Sequence, residues 1–283
     1  MNPKEIIRQA LIEDIGNGDH SSIASVPLTV QGEMKLWAKD YGIVAGIDVA
    51  RQVIEEVDPT ITMETFKKDG DAIQKGDLVF ILRGPARSML TAERTLLNFM
   101  QRLSGIATQT RQYVDTVAGT TAKILDTRKT TPNMRIFEKY AVKVGGAENH
   151  RFGLFDMIML KDNHIDFAGG IEQAIDTTRD YLKKNNLPLK IEIETRSLEE
   201  VRRVLAHGGV DRIMFDNFTP AEIRKTVQLI DGKYETEASG GITMETLREY
   251  AETGVDYISV GALTHHIKSL DLSLKFTAKT DCP

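Results

Sequence analysis

Cysteine is nearly absent: Cys282, next to the C-terminus, is the only one in 283 residues. A single thiol excludes an intrachain disulfide and removes the sulfur ligands of structural zinc sites. It fits a reducing cytoplasm. No apolar run is long enough to cross a bilayer. The N-terminus, MNPKEIIRQALIEDIG, mixes charges of both signs and has no apolar core segment, so it does not read as a signal peptide. An excess of positive charge is missing too. Lysine and arginine number 36 against 41 acidic residues, for a net charge of -5. With a pI near 5.8, broad nucleic-acid binding is disfavoured, but a focused basic pocket is not. Neither low-complexity segments nor linkers are visible. What remains, 41% hydrophobic and 27% charged residues, is the composition of a soluble globular protein. Its length suits one large domain or two ordinary ones.

The first hundred or so residues read as a small α+β domain. GEMKLWAKDYGIVAG looks like a strand and turn. Ile47–Val57 is a short amphipathic helix, and Leu78–Leu82 a buried strand. Ser88 to about Val117 is a long helix with Leu96, Leu97, Met100 and Leu103 on its apolar face. Arg94, Asn98 and Arg102 form a second, polar stripe on it, by default a solvated face. After about residue 118, short apolar runs alternate with helical segments. The runs are 122–125, 157–160, 189–193, 212–215, 234–238 and 257–260. The helices are 170–184, 197–207, 219–229 and 243–253, several opened by Ser197, Thr219 or Thr243 as cap. This alternation predicts parallel βα units and, with about six of them, an incomplete barrel. The expected division is 1–117, an α+β sandwich domain with its helix; 118–268, the barrel; and 269–283, a tail returning to the first domain.

The chemistry lies in the residues at the C-terminal end of each run. Asp126-Thr127-Arg128-Lys129 stands after the first, Lys161-Asp162-Asn163-His164 after the second and Glu194 after the third. Asp216-Asn217, Ser239-Gly240-Gly241 and Gly261-Ala262 end the others. In a parallel barrel these positions share the C-terminal rim, where active sites form. The glycine turns let backbone N–H groups approach a phosphate, and a helix starting just after would add its dipole. A single Gly-Gly is more often a plain turn; two on adjacent strands beside basic residues favour phosphate. Glu194 and Asp216 can hold ribose hydroxyls, bind Mg²⁺ or stabilise a developing cation. The bland alternative is a salt bridge to Lys161 or Lys129. Glu192, pointing the same way but deeper, reads as structural. Thr131 is expected to cap a helix beginning at Pro132, with Ile136, Phe137, Tyr140, Ala141 and Val144 as its apolar face and Gly145-Gly146 as its end. Arg135, Lys139 and Lys143 recur along that helix and read as an exposed face partly neutralised by Glu138. His150-Arg151 is expected to clamp a carboxylate, since guanidinium presents a fork suited to it. The pocket wants phosphates at one end and carboxylates at the other.

DTRKTTP, EKYAVKVGGAENHR, LKDNH, IEIE, FDNF, ASGGI and VGALTH stand in this order, with LIEDIGNGDHSS and LNFMQRLSGIAT before them. The series resembles the quinolinate phosphoribosyltransferases over nearly the whole chain. The resemblance implies an open-faced α+β sandwich domain plus an incomplete α/β barrel. It implies joining of quinolinate to phosphoribosyl pyrophosphate with loss of pyrophosphate and CO₂, giving nicotinate mononucleotide for NAD synthesis. It also implies a Mg²⁺ requirement and a homodimer or assembly of dimers, without nucleic acid or membrane as partners. By that resemblance Arg128, His150, Arg151 and Lys161 would grip quinolinate, with Thr127 beside them. Lys129 would meet pyrophosphate, and Glu194 and Asp216 would address ribose and magnesium. Ser239, Gly240, Gly241, Val260, Gly261 and Ala262 would hold the 5′-phosphate, and Arg102 would reach into a partner's site. Lys129, Lys161, Glu194 and Asp216 would carry the chemistry. Asn133, Ala147 and His266 depart from the usual pattern, but none of them removes a needed charge. The competing expectations are a molybdenum-transport-associated paralogue with another acceptor, a Schiff-base aldolase using Lys161, and a non-enzymatic polyanion binder.

Overall fold

The computed structural model describes residues 2–277, which leaves Cys282 outside the described part. In chain order the elements are α1 (Pro3–Ile15), α2 (His20–Ser25), β1 (Gln31–Ala38), β2 (Gly42–Ile43), α3 (Ile47–Val57), β3 (Thr62–Thr65), β4 (Ala72–Ile73), β5 (Leu78–Pro85) and α4 (Ala86–Thr116). Next come β6 (Lys123–Leu125), α5 (Arg135–Gly145), β7 (Ile158–Leu160), α6 (Asp162–Ala168), α7 (Ile171–Asn185), β8 (Ile191–Thr195), α8 (Leu198–His207), β9 (Arg212–Asp216) and α9 (Pro220–Ile230). The last are β10 (Glu235–Ser239), α10 (Leu247–Ala251), β11 (Tyr257–Ser259), α11 (Ala262–His265) and β12 (Leu272–Thr277).

Two compact units result. Among the described residues, the first takes 2–111, Thr130–Gly146 and 263–277; the second takes Gln112–Lys129 and Ala147–Ala262. Against the expected divisions at 117 and 268, the second unit thus begins and ends earlier, and α5 is grouped in the first unit.

The first unit is α+β. Its main sheet has the order β12-β1-β5-β3, and its pairings are antiparallel. Met34, Leu36 and Ala38 alternate with more exposed residues along β1, the pattern of a sheet with one buried face. α4 buries Leu96, Leu97, Met100 and Leu103 and leaves Arg94 and Asn98 exposed. α1 opens with Pro3 behind an Asn2/Glu5 capping box, a helix start that satisfies two N–H groups reciprocally. The apolar pattern alone does not point to this helix.

The second unit is a parallel six-stranded sheet of order β6-β11-β10-β9-β8-β7. β6 and β7 are consecutive in this sheet's chain order yet form its two edges, as expected of a barrel that stops short of closure. Ser197 and Thr219 cap α8 and α9 through their side chains, as their spacing predicts. α10 is shorter than expected. It begins at Leu247 behind Thr246, and the N–H of Thr243 is taken by the Thr246 hydroxyl at 3.1 Å. Because every pairing is parallel, the C-terminal ends of all six strands point the same way.

Candidate active site

The rim begins after β6. Asp126 is fully buried, and its carboxylate accepts the backbone N–H of His150 at 2.8 Å. The Thr127 hydroxyl accepts the N–H of Lys129 at 3.1 Å, which turns the chain outward. Arg128 is half-buried and Lys129 exposed. Burial holds Arg151 below the ordinary arginine range, and the like charge of Arg128 lowers it further; Glu192 and Asp156 pull the other way. Two guanidinium groups close enough to repel are a site prepared for an anion.

Beyond β7 and β8, Lys161 Nζ lies 3.5 Å from the Glu194 carboxylate. Glu194 is 8% exposed. Burial pushes its carboxyl up, Lys161 draws it back and Asp216 pushes it up again. The salt bridge expected as the alternative reading of Glu194 is thus present, to Lys161. Asp216 accepts a hydrogen bond from Asn217 Nδ2 at 2.8 Å. Asn217, at φ 58°, donates its backbone N–H to Ser239 O at 2.9 Å. Gly240 (φ +90°) packs so closely on Asn217 that a Cβ would stand 2.3 Å from its Oδ1 and 2.9 Å from its backbone N. That turn needs glycine for both conformation and space. The helix expected directly behind it is absent, since α10 starts only at Leu247; only the Gly261-Ala262 turn leads straight into a helix, the short α11. Val260 is buried, and its N–H serves the sheet through Leu125 O at 2.9 Å.

His150 departs from the clamp expected of it. It is 8% exposed. Its Nε2 lies 3.0 Å from Glu192 Oε2 and 3.3 Å from Glu237 Oε2, while Nδ1 accepts the N–H of Arg151 at 2.7 Å. Glu192 and Glu237 are fully buried. Arg212 Nη1 meets Glu237 at 2.9 Å, and its guanidinium covers the Tyr257 ring at 4.1 Å from the centroid. The three donor atoms of His150, Glu192 and Glu237 lie within 4.8 Å of one another, near enough for a cation. The guanidinium of Arg212 already supplies that positive charge.

The helix after the basic loop also differs from expectation. α5 starts at Arg135, with Met134 as N-cap. Asn133 sits at φ 64°, the left-handed region that asparagine tolerates best after glycine. The Thr131 hydroxyl does not cap; it accepts from Arg102 Nη2 at 2.8 Å. Lys139, expected on an exposed face with Arg135 and Lys143, is 1% exposed, whereas Tyr140, expected on the apolar face, is 38% exposed. Glu138 is fully buried and neutralises none of that stripe. It binds Arg102 at 2.7 Å and accepts the N–H of Thr131 at 3.2 Å.

Sequence reasoning places Asp126 and Asn217 at the rim without a role, gives Glu138 a different one, and misses Glu237. For Glu237 a signal existed: it lies two residues before Ser239, on the same face of its strand.

The chain resembles known proteins over nearly its whole length. Residues 19–104 match the quinolinate phosphoribosyl transferase N-terminal domain and residues 106–275 the C-terminal domain. The chain is 47% identical to the chloroplastic nicotinate-nucleotide pyrophosphorylase (carboxylating) of Arabidopsis thaliana, over 96% of this chain and 82% of that one. It is 44% identical to a probable nicotinate-nucleotide pyrophosphorylase (carboxylating) of Bacillus subtilis, over 98% and 94%. The crystal structure of NadC from Streptococcus pyogenes superposes with a TM-score of 0.93 at 42% identity, covering 98% of both chains.

Proposed function

This chain belongs to the quinolinate phosphoribosyltransferase family, and we infer from that membership and the rim geometry what it does. It transfers the phosphoribosyl group of phosphoribosyl pyrophosphate to quinolinate, with decarboxylation, giving nicotinate mononucleotide, pyrophosphate and CO₂. The observation that carries the assignment of residues is the gathering of Arg128, Lys129, Arg151 and Lys161 on the rim that also bears Glu194 and Asp216. The quinolinate and nicotinate-nucleotide names of its relatives speak for quinolinate as acceptor, over the acceptor of a molybdenum-transport paralogue.

Arg128, Arg151 and Lys161 hold the two carboxylates of quinolinate. The pyridine nitrogen attacks C1 of the ribose, the bond from C1 to the pyrophosphate oxygen breaks, and the electron pair leaves with pyrophosphate. Glu194 and Asp216 face the positive charge that builds on the ribose ring. Lys129, exposed at the end of its loop, meets the leaving pyrophosphate. Holding both substrates in place supplies much of the remaining acceleration. The product pyridinium then accepts the electrons of the bond to the departing 2-carboxylate, and C2 takes up a proton. Ser239, Gly240, Gly241, Gly261 and Ala262 cradle the 5′-phosphate.

Glu194 and Asp216 also fit Mg²⁺. They offer hard oxygen ligands, and their mutual repulsion, which raises Glu194, is relieved by a cation. When bound, the ion neutralises charge on the pyrophosphate. A homodimer in which Arg102 of one protomer addresses its partner's rim belongs to the same reading. Its support is that Arg102 is held firmly by Glu138 with 28% of its side chain still exposed. No described helix is long and apolar enough to cross a membrane; the cytoplasm is the place we assign.

The test is acceptor choice. With Mg²⁺ and phosphoribosyl pyrophosphate, quinolinate should give nicotinate mononucleotide, and nicotinate in its place should give little. Equal turnover of both would refute a site built for a dicarboxylate.

A further inference from the structure

The interior of the second unit is charged where an apolar filling is usual. Glu192 on β8, Arg212 on β9 and Glu237 on β10 all point inward, and His150 closes the group from its loop. Lone buried charges of this kind are costly, so they persist only as a mutually compensated set. Glu192 is pushed up to about 7 by burial and by Glu237. For His150, burial lowers the imidazole, but the two glutamates outweigh it and raise it to about 9. Nδ1 of His150 accepts the N–H of Arg151, which leaves Nε2 to face the glutamates.

Arg151, the arginine that Arg128 repels, follows His150 directly in the chain. Glu192 acts against that repulsion on Arg151. The loop is pinned at successive residues: His150 N–H to Asp126, the ring to the glutamates, Arg151 N–H to the ring, and Arg151 Nη1 to Met157 O at 3.2 Å. The charged groups facing His150 are Asp126, Arg151, Glu192 and Glu237, with Arg212, and through it Glu235, behind them.

We propose that Glu192 and Glu237 are positioning residues for the acceptor. They form a negative floor that pins His150 and, through it, sets Arg151 before a dicarboxylate arrives. The proposal rests on the reaction inferred above. It has an opposite in plain electrostatics, because removing a buried negative charge should attract a dianion more strongly.

The experiment is Glu237→Gln, with Glu192→Gln as a second variant and Glu237→Asp as the conservative control. Wild-type turnover is measured first. Absence of turnover with quinolinate would refute the reaction and not the floor. Given turnover, each glutamine variant should raise the KM for quinolinate about tenfold or more. The KM for phosphoribosyl pyrophosphate should stay within about twofold and kcat within about threefold. Glu237→Asp should recover part of the loss. An unchanged or lowered KM for quinolinate, or equal losses for both substrates, would overturn the proposal. If neither glutamine variant folds, Glu237→Asp decides: its KM for quinolinate should rise several-fold while that for phosphoribosyl pyrophosphate stays within about twofold, and unchanged or equally raised values overturn the proposal.

Discussion

Glu194→Gln is expected to lower kcat by about 10²- to 10³-fold, the usual cost of removing one preorganised electrostatic partner of a transition state, with both KM values within a few-fold. The reason is placement. Glu194 is almost fully buried at the end of β8, where little water screens it, and Lys161 at 3.5 Å keeps it aimed. In the proposed role its charge acts on the ribose only when positive character develops there, so the loss should fall on kcat. The ionised form is the active one. Burial raises its carboxyl, with Asp216 adding to the rise and Lys161 opposing it. Activity should therefore fall as pH drops through a value above the ordinary carboxylate range, and that acid limb should be absent from the glutamine variant. Steady-state kinetics from acid to neutral pH check both points. A rise in quinolinate KM with kcat intact would mean that Glu194 serves only to hold Lys161.

Arg102→Ala should destabilise the protein by about 3–5 kcal/mol, the cost of leaving a buried carboxylate without its partner. Glu138 is fully buried and Arg102 contacts it through both Nε and Nη2, at 2.9 and 2.7 Å. The same guanidinium also donates to Thr131 and to the Thr264 carbonyl, so one side chain ties α4, the turn before α5 and the segment after β11. Denaturant unfolding checks the magnitude. The double variant Arg102→Met, Glu138→Leu should regain most of the stability, because it removes both charges and fills their space. If Arg102 also serves a partner's site, that double variant should fold well and still turn over poorly. Recovery of both stability and activity would confine Arg102 to an architectural role.

The barrel is legible in the sequence because its strands are short apolar runs set off by charged or glycine residues, and because Ser197 and Thr219 announce helices in the expected way. The rim is a consequence of topology: once the runs are parallel, the residues at their C-terminal ends must converge. The region around α5 is less legible. Thr131-Pro132 looks like a capped helix start, but the hydroxyl is claimed by Arg102, 29 residues earlier in the chain, and Asn133 turns left-handed. Lys139 keeps the i, i+4 rhythm of a solvated stripe and is nevertheless buried, since only tertiary packing decides which side of such a helix faces outward. His150 shows the same limit at the site itself. Beside Arg151 it reads as a second cationic ligand, whereas its Nε2 turns inward to glutamates from two different strands. Glu192 reads correctly as deeper than Glu194, but its partner Glu237 goes unread, because it lies inside the run 234–238, where attention falls on the residues at the strand's end.

In the proposed mechanism, transfer and decarboxylation are coupled in one site. Quinolinate labelled with ¹³C in the 2-carboxylate, followed by NMR with and without phosphoribosyl pyrophosphate, tests that coupling most directly. Labelled CO₂ should appear only when phosphoribosyl pyrophosphate is present, in equal amount to nicotinate mononucleotide and pyrophosphate. Label released without phosphoribosyl pyrophosphate, or kept in a nucleotide product, would contradict it.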